Sequence, residues 1–336
     1  MMPTTDQPKT VGFVGLGGMG RRIASRLLAA GVPLVVHNRT PEKVRELEAA
    51  GAHVAKSPRE VGKQADGGIV FTMTSDAKSQ RSVLLGRSGV AQGLLPGGLV
   101  VSLSTIAPEE SERLSRELHE RGLRYVEAPV GGSTEAAEAG GLAIYAAGEP
   151  EDVERVRPYL ERFSRRVFVF SRVGQGATAK LSVNLLMISY LGVAREALAL
   201  GEKRGLTREQ MLELLLDGSS HSRVLELKAG LLRSRSYQPA SFSVELALKD
   251  VRLALQAAKT AGLPTRWGKE ATQAVRRAVE EGRGKLDFAA LADPTLEPPR
   301  ERPEPPAGPL PPSPPSSPLE GAGEAVGPAE GPGEVG

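Results

Sequence analysis

The chain contains no cysteine, which excludes disulfide bonds, thiolate metal sites and a cysteine nucleophile, and which suits a reducing cytoplasm, where we expect the protein to act. Aromatic residues are scarce, at 4%, and no nucleic-acid-binding motif is visible, so nucleic acid is not an expected partner. No segment approaches the ~20 uninterrupted apolar residues that cross a bilayer, and residues 1–10 lack the apolar run of a signal peptide. We therefore expect no membrane partner.

Histidine is also rare, and the four histidines have no metal-ligand spacing, so we predict no metal site. No nucleophile-elbow motif surrounds any serine, which argues against a serine hydrolase. The acidic pairs at 109–110 and 280–281 lie in helical stretches and are interpreted as solvated faces.

Proline is unevenly distributed along the chain. Residues 294–336 contain fourteen of the 26 prolines, with seven Glu and two Arg, a net charge of −5 that leaves +8 on the rest of the +3 chain. Such a segment buries too little apolar surface to offset its ordering entropy, so we predict a disordered tail whose proline stretch could dock on a partner. The net positive charge of the other residues either lies on a solvated surface or attracts an anionic cofactor and substrate.

The first ~170 residues alternate short apolar runs with helical stretches, a pattern typical of a parallel sheet wrapped by helices. Strands are predicted over 11–14, 34–37, 69–73, 99–103, 125–128, 143–146 and 167–170. A helix over 21–30 should be closed by Gly31. Thr40-Pro41 and Ser57-Pro58 should each begin a helix with a capping side chain before proline, and Glu60 completes a capping box with Ser57.

The predicted strands stop after Gly176, and the remainder of the ordered chain should be all-helical. The predicted helices span 177–203, 207–216, 224–232, 244–261 and 269–281. The sequence therefore predicts an α/β domain with a mostly parallel sheet over 10–173, an all-α domain over 174–293, and the tail over 294–336.

A glycine-rich loop follows the first predicted strand and opens the first helix. It consists of Gly15, Leu16, Gly17, Gly18, Met19 and Gly20. The first glycine permits a tight turn, the second lets backbone approach a pyrophosphate, and the third allows close helix packing. A glycine-rich turn alone is weak evidence, but a strand before it and a helix after it are the context of a Rossmann-type dinucleotide site.

The end of the second strand distinguishes between the two nicotinamide cofactors. NAD enzymes usually place an acidic residue there to bind the ribose 2′-hydroxyl. This chain has Asn38, Arg39 and Thr40 instead. A guanidinium can bind a 2′-phosphate with paired donors, so we expect NADP to be preferred to NAD, the alternative being a surface arginine beside a helix cap.

Four further stretches combine with the glycine loop. They read Leu-Ser-Thr-Ile-Ala-Pro at 103–108, Glu-Ala-Pro-Val-Gly-Gly-Ser at 127–133, Gly-Gln-Gly-Ala-Thr-Ala-Lys-Leu-Ser-Val-Asn at 174–184, and Lys-Asp-Val-Arg-Leu-Ala at 249–254. In this order the chain resembles the β-hydroxyacid dehydrogenases, the family of 3-hydroxyisobutyrate dehydrogenase. Within that family it is most similar to the plant-type glyoxylate/succinic semialdehyde reductases, from which it departs at Gly131, where they have serine.

The resemblance implies roles for individual residues. It assigns proton transfer to Lys180 and places Thr105 and Lys249 against the cofactor, with Met73 counted among the cofactor-binding residues. It has Asp250 help close the site from the helical domain and places Phe242 near the substrate, although from the residues alone Phe242 would be a core residue. It also implies a homodimer or homotetramer formed through the helical domain.

The proposed chemistry also follows from the residues. Hydride arriving at a carbonyl carbon leaves negative charge on oxygen, so a positioned acid must supply a proton. Lys180 can do so if burial or a nearby cation lowers its pKa, and Asn184, four residues on, shares its helix face and can orient it. The backbone amides of Gly131 and Gly132, with Ser133, suit a substrate carboxylate, unless this is only a glycine-rich turn.

These observations predict an NADP-dependent oxidoreductase that reduces a small carboxylate-bearing aldehyde to a hydroxyacid, or catalyses the reverse reaction. One alternative is an imine reductase, since such relatives share both domains but usually replace the lysine with Asp or Tyr. The other is a non-catalytic NADP-binding interaction protein, an idea that the proline-rich tail keeps open.

Overall fold

The computed structural model describes residues 9–296; the first eight residues and the predicted tail from 297 onward lie outside this range. Within the described residues, nine strands form one sheet. The strands are β1 Val11–Val14, β2 Leu34–His37, β3 His53–Val54, β4 Ile69–Thr72, β5 Leu99–Ser102, β6 Arg124–Glu127, β7 Val130–Gly131, β8 Leu142–Ala147 and β9 Ser164–Phe170. The prediction missed the two shortest strands, β3 and β7, because a strand of two residues shows no alternation of apolar and polar side chains.

The sheet has the strand order β3-β2-β1-β4-β5-β6, all parallel, which is the order of a dinucleotide-binding domain. Beyond β6 the chain turns back: β8 runs antiparallel to β6 and β7, and β9 pairs parallel with β8. The central strands are fully buried because helices cover both faces, which explains their continuous apolar runs.

Seven helices surround this sheet. They are α1 Gly18–Ala29, α2 Arg45–Ala49, α3 Pro58–Gln64, α4 Ala77–Leu85, α5 Pro108–His119, α6 Thr134–Glu138 and α7 Pro150–Leu160. Gly31 follows α1 with a φ of 78°, as a closing glycine should. The predicted mostly parallel α/β domain is therefore confirmed.

Two capping predictions need correction. Thr40 makes no side-chain cap, because residues 41–44 form a 3₁₀ turn that begins with a bond from the Lys43 amide to the Thr40 carbonyl. Ser57 does cap α3, accepting from the Glu60 amide at 3.2 Å. The reciprocal half of the capping box is missing, because the Glu60 carboxylate instead pairs with Lys63 at 3.1 Å.

The second half of the described chain is helical, as predicted. Its helices are α8 Gln175–Lys203, α9 Arg208–Asp217, α10 Arg223–Ser234, α11 Val244–Thr260 and α12 Arg266–Ala278. They pack around one apolar core, which also receives a short 3₁₀ turn at Phe288–Ala292. The last helix ends three residues earlier than predicted, in a kinked turn where Gly282 has a φ of 83°. Thr295 bonds to Asp293 and Leu296 packs on the core, so residues 294–296, which were predicted as the start of the tail, belong to the folded domain.

Helix α8 is the longest element and carries two apolar faces. One face is buried against the helical core and includes Ile188, Leu191 and Leu198. The other leaves Leu186 and Val193 largely exposed, at 72% and 63%. By length and composition alone α8 could also cross a membrane, with 28% of its apolar window buried, but core helices pass the same test and one such helix is weak evidence.

Candidate active site at the carboxyl edge of the sheet

The glycine loop has the geometry that dinucleotide binding requires. A Cβ at Gly15, whose φ is 99°, would collide with the carbonyl oxygen of Met73. A Cβ at Gly20 would collide with the Gly15 carbonyl, so only glycine lets α1 start this close to the loop. A Cβ built at Gly17 would meet nothing within 4 Å, so the space beside this residue at the N-terminus of α1 is open to a pyrophosphate.

The loop is braced by the residues that follow β2. Asn38 accepts the Leu16 amide at 2.9 Å through Oδ1 and donates to the Thr40 carbonyl at 3.0 Å through Nδ2. The Leu16 side chain is buried in the core, so Leu16 and Asn38 shape the loop through their bond to each other. Arg39 lies exposed beside them, in the position where a ribose 2′-substituent is bound in this fold.

A buried glutamine that sequence reasoning missed organises the next two loops. Gln80 on α4 is fully buried and uses both ends of its amide, donating to two hydroxyls and accepting from two. Its partners are Thr72, Ser102, Thr74 and Ser104, at 2.7, 3.0, 2.8 and 3.0 Å respectively. Thr72 and Thr74 flank Met73, and Ser104 directly precedes Thr105, so Gln80 fixes the loops that carry the two predicted cofactor contacts after β4 and β5. The sequence signal for this network was the group of hydroxyl residues at the ends of β4 and β5.

The predicted catalytic residues form one hydrogen-bonded chain. Lys180 Nζ donates to Asn184 Oδ1 at 3.0 Å, and Asn184 Nδ2 donates to Asp250 Oδ2 at 2.6 Å. All three side chains are buried. The four-residue spacing on α8 places lysine and asparagine on the same face, and α11 supplies the aspartate across from them.

The environment of Lys180 makes its amine a weaker base than an ordinary lysine. Burial lowers its pKa from 10.5 to about 8; the negative charge of Asp250 opposes this shift, and the positive charge of Lys249 adds to it. A group with such a pKa can both give and take a proton near neutral pH.

Lys249 connects the helical domain to the cofactor side of the cleft. Its Nζ donates to the Thr105 carbonyl at 2.8 Å and lies 3.0 Å from Asp250 Oδ1. The structure therefore brings Thr105, Lys249 and the Lys180 chain into one continuous group. Thr105 is held through its carbonyl, and its hydroxyl makes no protein hydrogen bond within the described residues.

Glu127 fixes the start of α8, a role that sequence reasoning did not assign. Its Oε1 accepts the amides of Gly174, Gly176 and Ala177 at 2.7, 2.8 and 3.2 Å, and Oε2 accepts the Ser111 hydroxyl at 2.5 Å. Burial raises the pKa of Glu127, and the four hydrogen bonds act against that rise. Residue 127 stood inside a recognised motif, but its partner, the helix 47 residues later, leaves no local signal.

The predicted substrate loop follows β6. Gly131 ends β7, Gly132 has a φ of 135°, and Ser133 caps α6 by accepting the Ala136 amide at 3.2 Å. The turn is thus a real structural feature. Whether its amides bind a carboxylate stays a prediction.

Phe242 belongs to a different cluster from the Lys180 chain. Its ring packs edge-on against Phe288 at 5.1 Å, as the residue-based interpretation of a core position expects. The turn that carries it is held by a buried pair that sequence reasoning missed, Lys228 and Asp287 at 2.9 Å, through Ser241. A substrate contact for Phe242 stays a prediction from resemblance.

A dinucleotide loop at the carboxyl edge of a parallel sheet, followed by a helical domain whose first helix carries a buried lysine, defines a two-domain NAD(P)-dependent oxidoreductase. Comparison with known families agrees with this class. Residues 10–171 match the NAD binding domain of 6-phosphogluconate dehydrogenase, and residues 174–295 match the NAD-binding region of NADP-dependent 3-hydroxyisobutyrate dehydrogenase.

Individual relatives match most of the chain. The uncharacterized oxidoreductase YfjR of Bacillus subtilis is 37% identical, over 84% of this chain and 98% of its own length. Glyoxylate/succinic semialdehyde reductase 1 of Arabidopsis thaliana is 35% identical, over 84% of this chain and 97% of its own length. The solved structure of Psf3 in complex with NADP+ and 2-OPP superposes with a TM-score of 0.76 at 29% identity, over 85% of this chain and 100% of that one.

The chain therefore belongs to the 3-hydroxyisobutyrate dehydrogenase-related family, as its motifs predicted. It is an NAD(P)-dependent enzyme of the hydroxyacid dehydrogenase and aldehyde reductase type.

Proposed function

We propose that the protein reduces a small carboxylate-bearing aldehyde, of the glyoxylate or succinic semialdehyde type, to the hydroxyacid, and catalyses the reverse oxidation. The observation that carries the proposal is the buried Lys180 amine, hydrogen-bonded to Asn184 and with a pKa of about 8. Burial of the ammonium is unfavourable for stability, and the lowered pKa that results is what proton transfer requires.

The residues of the chain divide the chemistry among them. The bound nicotinamide supplies the hydride in reduction and accepts it in oxidation. Lys180 gives its proton to the alkoxide that reduction creates and, as the neutral amine, takes the hydroxyl proton in oxidation. Asn184 holds the Lys180 amine, and Asp250 holds Asn184. The amides at Gly131 and Gly132, with Ser133, bind the substrate carboxylate.

NADPH is the proposed physiological cofactor. Arg39 is exposed at the end of β2, where an NAD enzyme places a carboxylate, and its guanidinium matches the geometry of a 2′-phosphate. The glyoxylate/succinic semialdehyde reductase relative supports an aldehyde as substrate. Because Arg39 is one exposed contact, NADH should be used less efficiently but not excluded.

A second copy of this chain is the proposed partner of α8. The apolar residues on the solvent face of the helix, Val183, Leu186, Val193 and Leu200, are all exposed by 47% or more. Leu186, Val193 and Leu200 recur every seven residues, the spacing at which helices pack side by side in coiled coils. Burying such a stripe against its own copy would remove it from water.

A spectrophotometric panel tests the catalytic proposal. NADPH loss, and NADH loss for comparison, is followed with glyoxylate, succinic semialdehyde, tartronate semialdehyde and a cyclic imine. We expect reduction of at least one aldehyde, and a loss of about 10²-fold or more in kcat for Lys180→Met. Lys203→Met, at the exposed far end of the same helix, is the matched control and should retain wild-type rates.

Three results would contradict the proposal. Equal rates for the wild type and Lys180→Met on every aldehyde would remove Lys180 from the chemistry. Turnover of the imine alone would favour the imine reductase, and the absence of all turnover together with NADPH binding would favour a non-catalytic nucleotide-binding protein.

A further inference from the structure

The phenol of Tyr145 lies beside the substrate loop with no hydrogen-bond partner among the described residues. Gly131 is opposite Ala143 in the β7–β8 pair, and Tyr145 lies two residues after Ala143 on β8. The side chains at 143 and 145 point to the same face of the sheet, so Tyr145 and Gly131 share that face. A Cβ built at Gly131 would lie 3.3 Å from both the Tyr145 hydroxyl and ring atom Cε2. The absence of a side chain at position 131 therefore gives the phenol its place next to the loop.

The ring of Tyr145 is held in position before any ligand arrives. Tyr145 is paired with Phe168 on β9, and the two rings stack at 5.6 Å with an interplanar angle of 10°. The Arg166 guanidinium lies 4.6 Å from the Phe168 ring centroid and extends the stack. A hydroxyl on a ring already fixed by stacking loses little conformational freedom when it binds.

The same face of the sheet also carries the start of the catalytic helix. A Cβ at Gly176 would collide with the Tyr145 carbonyl oxygen, so α8 begins in contact with the Tyr145 backbone. The backbone of Tyr145 therefore borders the start of α8, while its phenol borders Gly131. Burial raises the pKa of Tyr145, and the charge of Arg165 opposes that rise, so the phenol keeps its proton at neutral pH and can donate it.

We infer that the Tyr145 hydroxyl donates a hydrogen bond to the substrate carboxylate and, with the amides of the loop, selects acids over uncharged aldehydes. This inference rests on the proposed function, because it takes the loop at 131–133 as the carboxylate site. Tyr145 is then a specificity-determining residue that takes no part in proton or hydride transfer.

Ligand binding tests this role without needing turnover. The NADP+-loaded protein is titrated with glycolate and with 4-hydroxybutyrate by calorimetry, comparing the wild type with Tyr145→Phe, which removes only the hydroxyl. A hydrogen bond to a charged group predicts about tenfold weaker binding, with unchanged NADP+ affinity. Tyr159→Phe, the same substitution on the other side of the domain against Phe71, is the matched control and should bind like the wild type.

A rescue experiment separates a specific contact from a general disturbance. In the double variant Gly131→Ser with Tyr145→Leu, the ring is gone and a serine hydroxyl points to the space that the phenol occupied, so hydroxyacid binding should recover relative to Tyr145→Leu alone. With aldehyde substrates, Tyr145→Phe should raise KM for glyoxylate. The KM for the methyl ester of glyoxylate, and kcat for both substrates, should stay unchanged.

The outcomes distinguish this inference from the proposed function. If the wild type reduces the aldehyde panel but Tyr145→Phe binds the hydroxyacids as tightly as the wild type does, the inference is overturned and the function stands. If the wild type reduces none of the aldehydes, the proposed function fails, and the calorimetry still decides on Tyr145. Wild-type protein that binds neither hydroxyacid overturns the inference.

Discussion

At the scale of single residues, the decisive feature is Lys180, whose charged ammonium form is disfavoured by burial in the folded protein. Lys180 is buried, is close to the second cation Lys249, and retains one carboxylate, Asp250, in its surroundings. Burial outweighs the attraction of the carboxylate, so the ammonium is a stronger acid than in water. Two measurable consequences follow, one for the reaction and one for stability.

The reaction should depend on pH in opposite ways in its two directions. In the proposed mechanism reduction needs the protonated amine, so kcat/KM should be constant below about pH 8 and fall about tenfold per pH unit above it. Oxidation needs the neutral amine, so its kcat/KM should rise with pH and level off above about pH 8. Parallel pH profiles with one aldehyde and hydroxyacid pair measure this, and identical profiles in both directions would exclude Lys180 as the titrating group.

The folded protein should be more stable without this ammonium. The pKa of Lys180 falls from 10.5 in the unfolded chain to about 8 in the folded one, which corresponds to about 3 kcal/mol of destabilisation below pH 8. The unfolded state binds the extra proton between these values, so wild-type stability should rise with pH through this window. Lys180→Met should therefore raise the free energy of unfolding in urea at pH 7, and the gain should disappear by about pH 10.5.

The exposed Lys203 provides the control for this measurement. Lys203→Met lies on the same helix but changes no buried charge, so its effect on stability should be small and independent of pH. A Lys180→Met variant less stable than the wild type at pH 7 would show that the amine is not desolvated as the structure indicates.

At the scale of elements, α8 depends on a strand that is remote in sequence. The first amides of a helix have no partner within it, and here Glu127 at the end of β6 accepts three of them. The carboxylate also complements the positive end of the helix dipole. A contact of this kind specifies where the helix begins, and therefore where Lys180 lies.

Removing the Glu127 carboxylate should increase local opening at the start of α8 without unfolding the domain. Glu127→Ala leaves three buried amides without their acceptor and should cost about 3 kcal/mol or more. Glu127→Gln keeps an accepting oxygen and should cost less. Hydrogen exchange of the amides at 174, 176 and 177 measures the effect directly.

The matched control is another buried acid beside the same strand. Asp152 pairs with Arg124 at 2.8 Å on β6, away from α8. Asp152→Asn should leave exchange at the start of α8 unchanged. Equal protection of these three amides in the wild type and Glu127→Ala would contradict the role assigned to Glu127.

At the scale of the whole molecule, the exposed stripe on α8 predicts self-association. The wild type should have at least twice the 35.5 kDa mass of one chain by light scattering. Leu186→Glu combined with Val193→Glu places two charges in the stripe and should give a monomer that still binds NADP. Leu95→Glu, at an equally exposed leucine of the first domain, should leave the mass of the assembly unchanged.

A wild type that sediments as a monomer would remove the basis of this prediction, and so would a double variant that remains associated. The exposure of these apolar side chains on α8 would then have a cause other than self-association.

Much of the fold and of the site was predictable because the determining signals are local. β1, β2 and the glycine loop follow from apolar runs and from backbone positions that only glycine can occupy. Lys180 and Asn184 follow from helical spacing. Glu127 and the Lys228–Asp287 pair were not predictable, because each acts through partners brought together only by the tertiary fold. For Gln80 the hydroxyl residues at two strand ends were a signal, but they do not identify the side chain that joins them.

The bond between Glu127 and the beginning of α8 also ties the Lys180 amine to the nucleotide-binding half of the molecule. Although α8 is counted with the helical domain, its first turn is attached to β6. On the other side, the same amine is linked through Asn184 to Asp250 on α11. A displacement of one half relative to the other would therefore shift the amine unless one of these two attachments breaks.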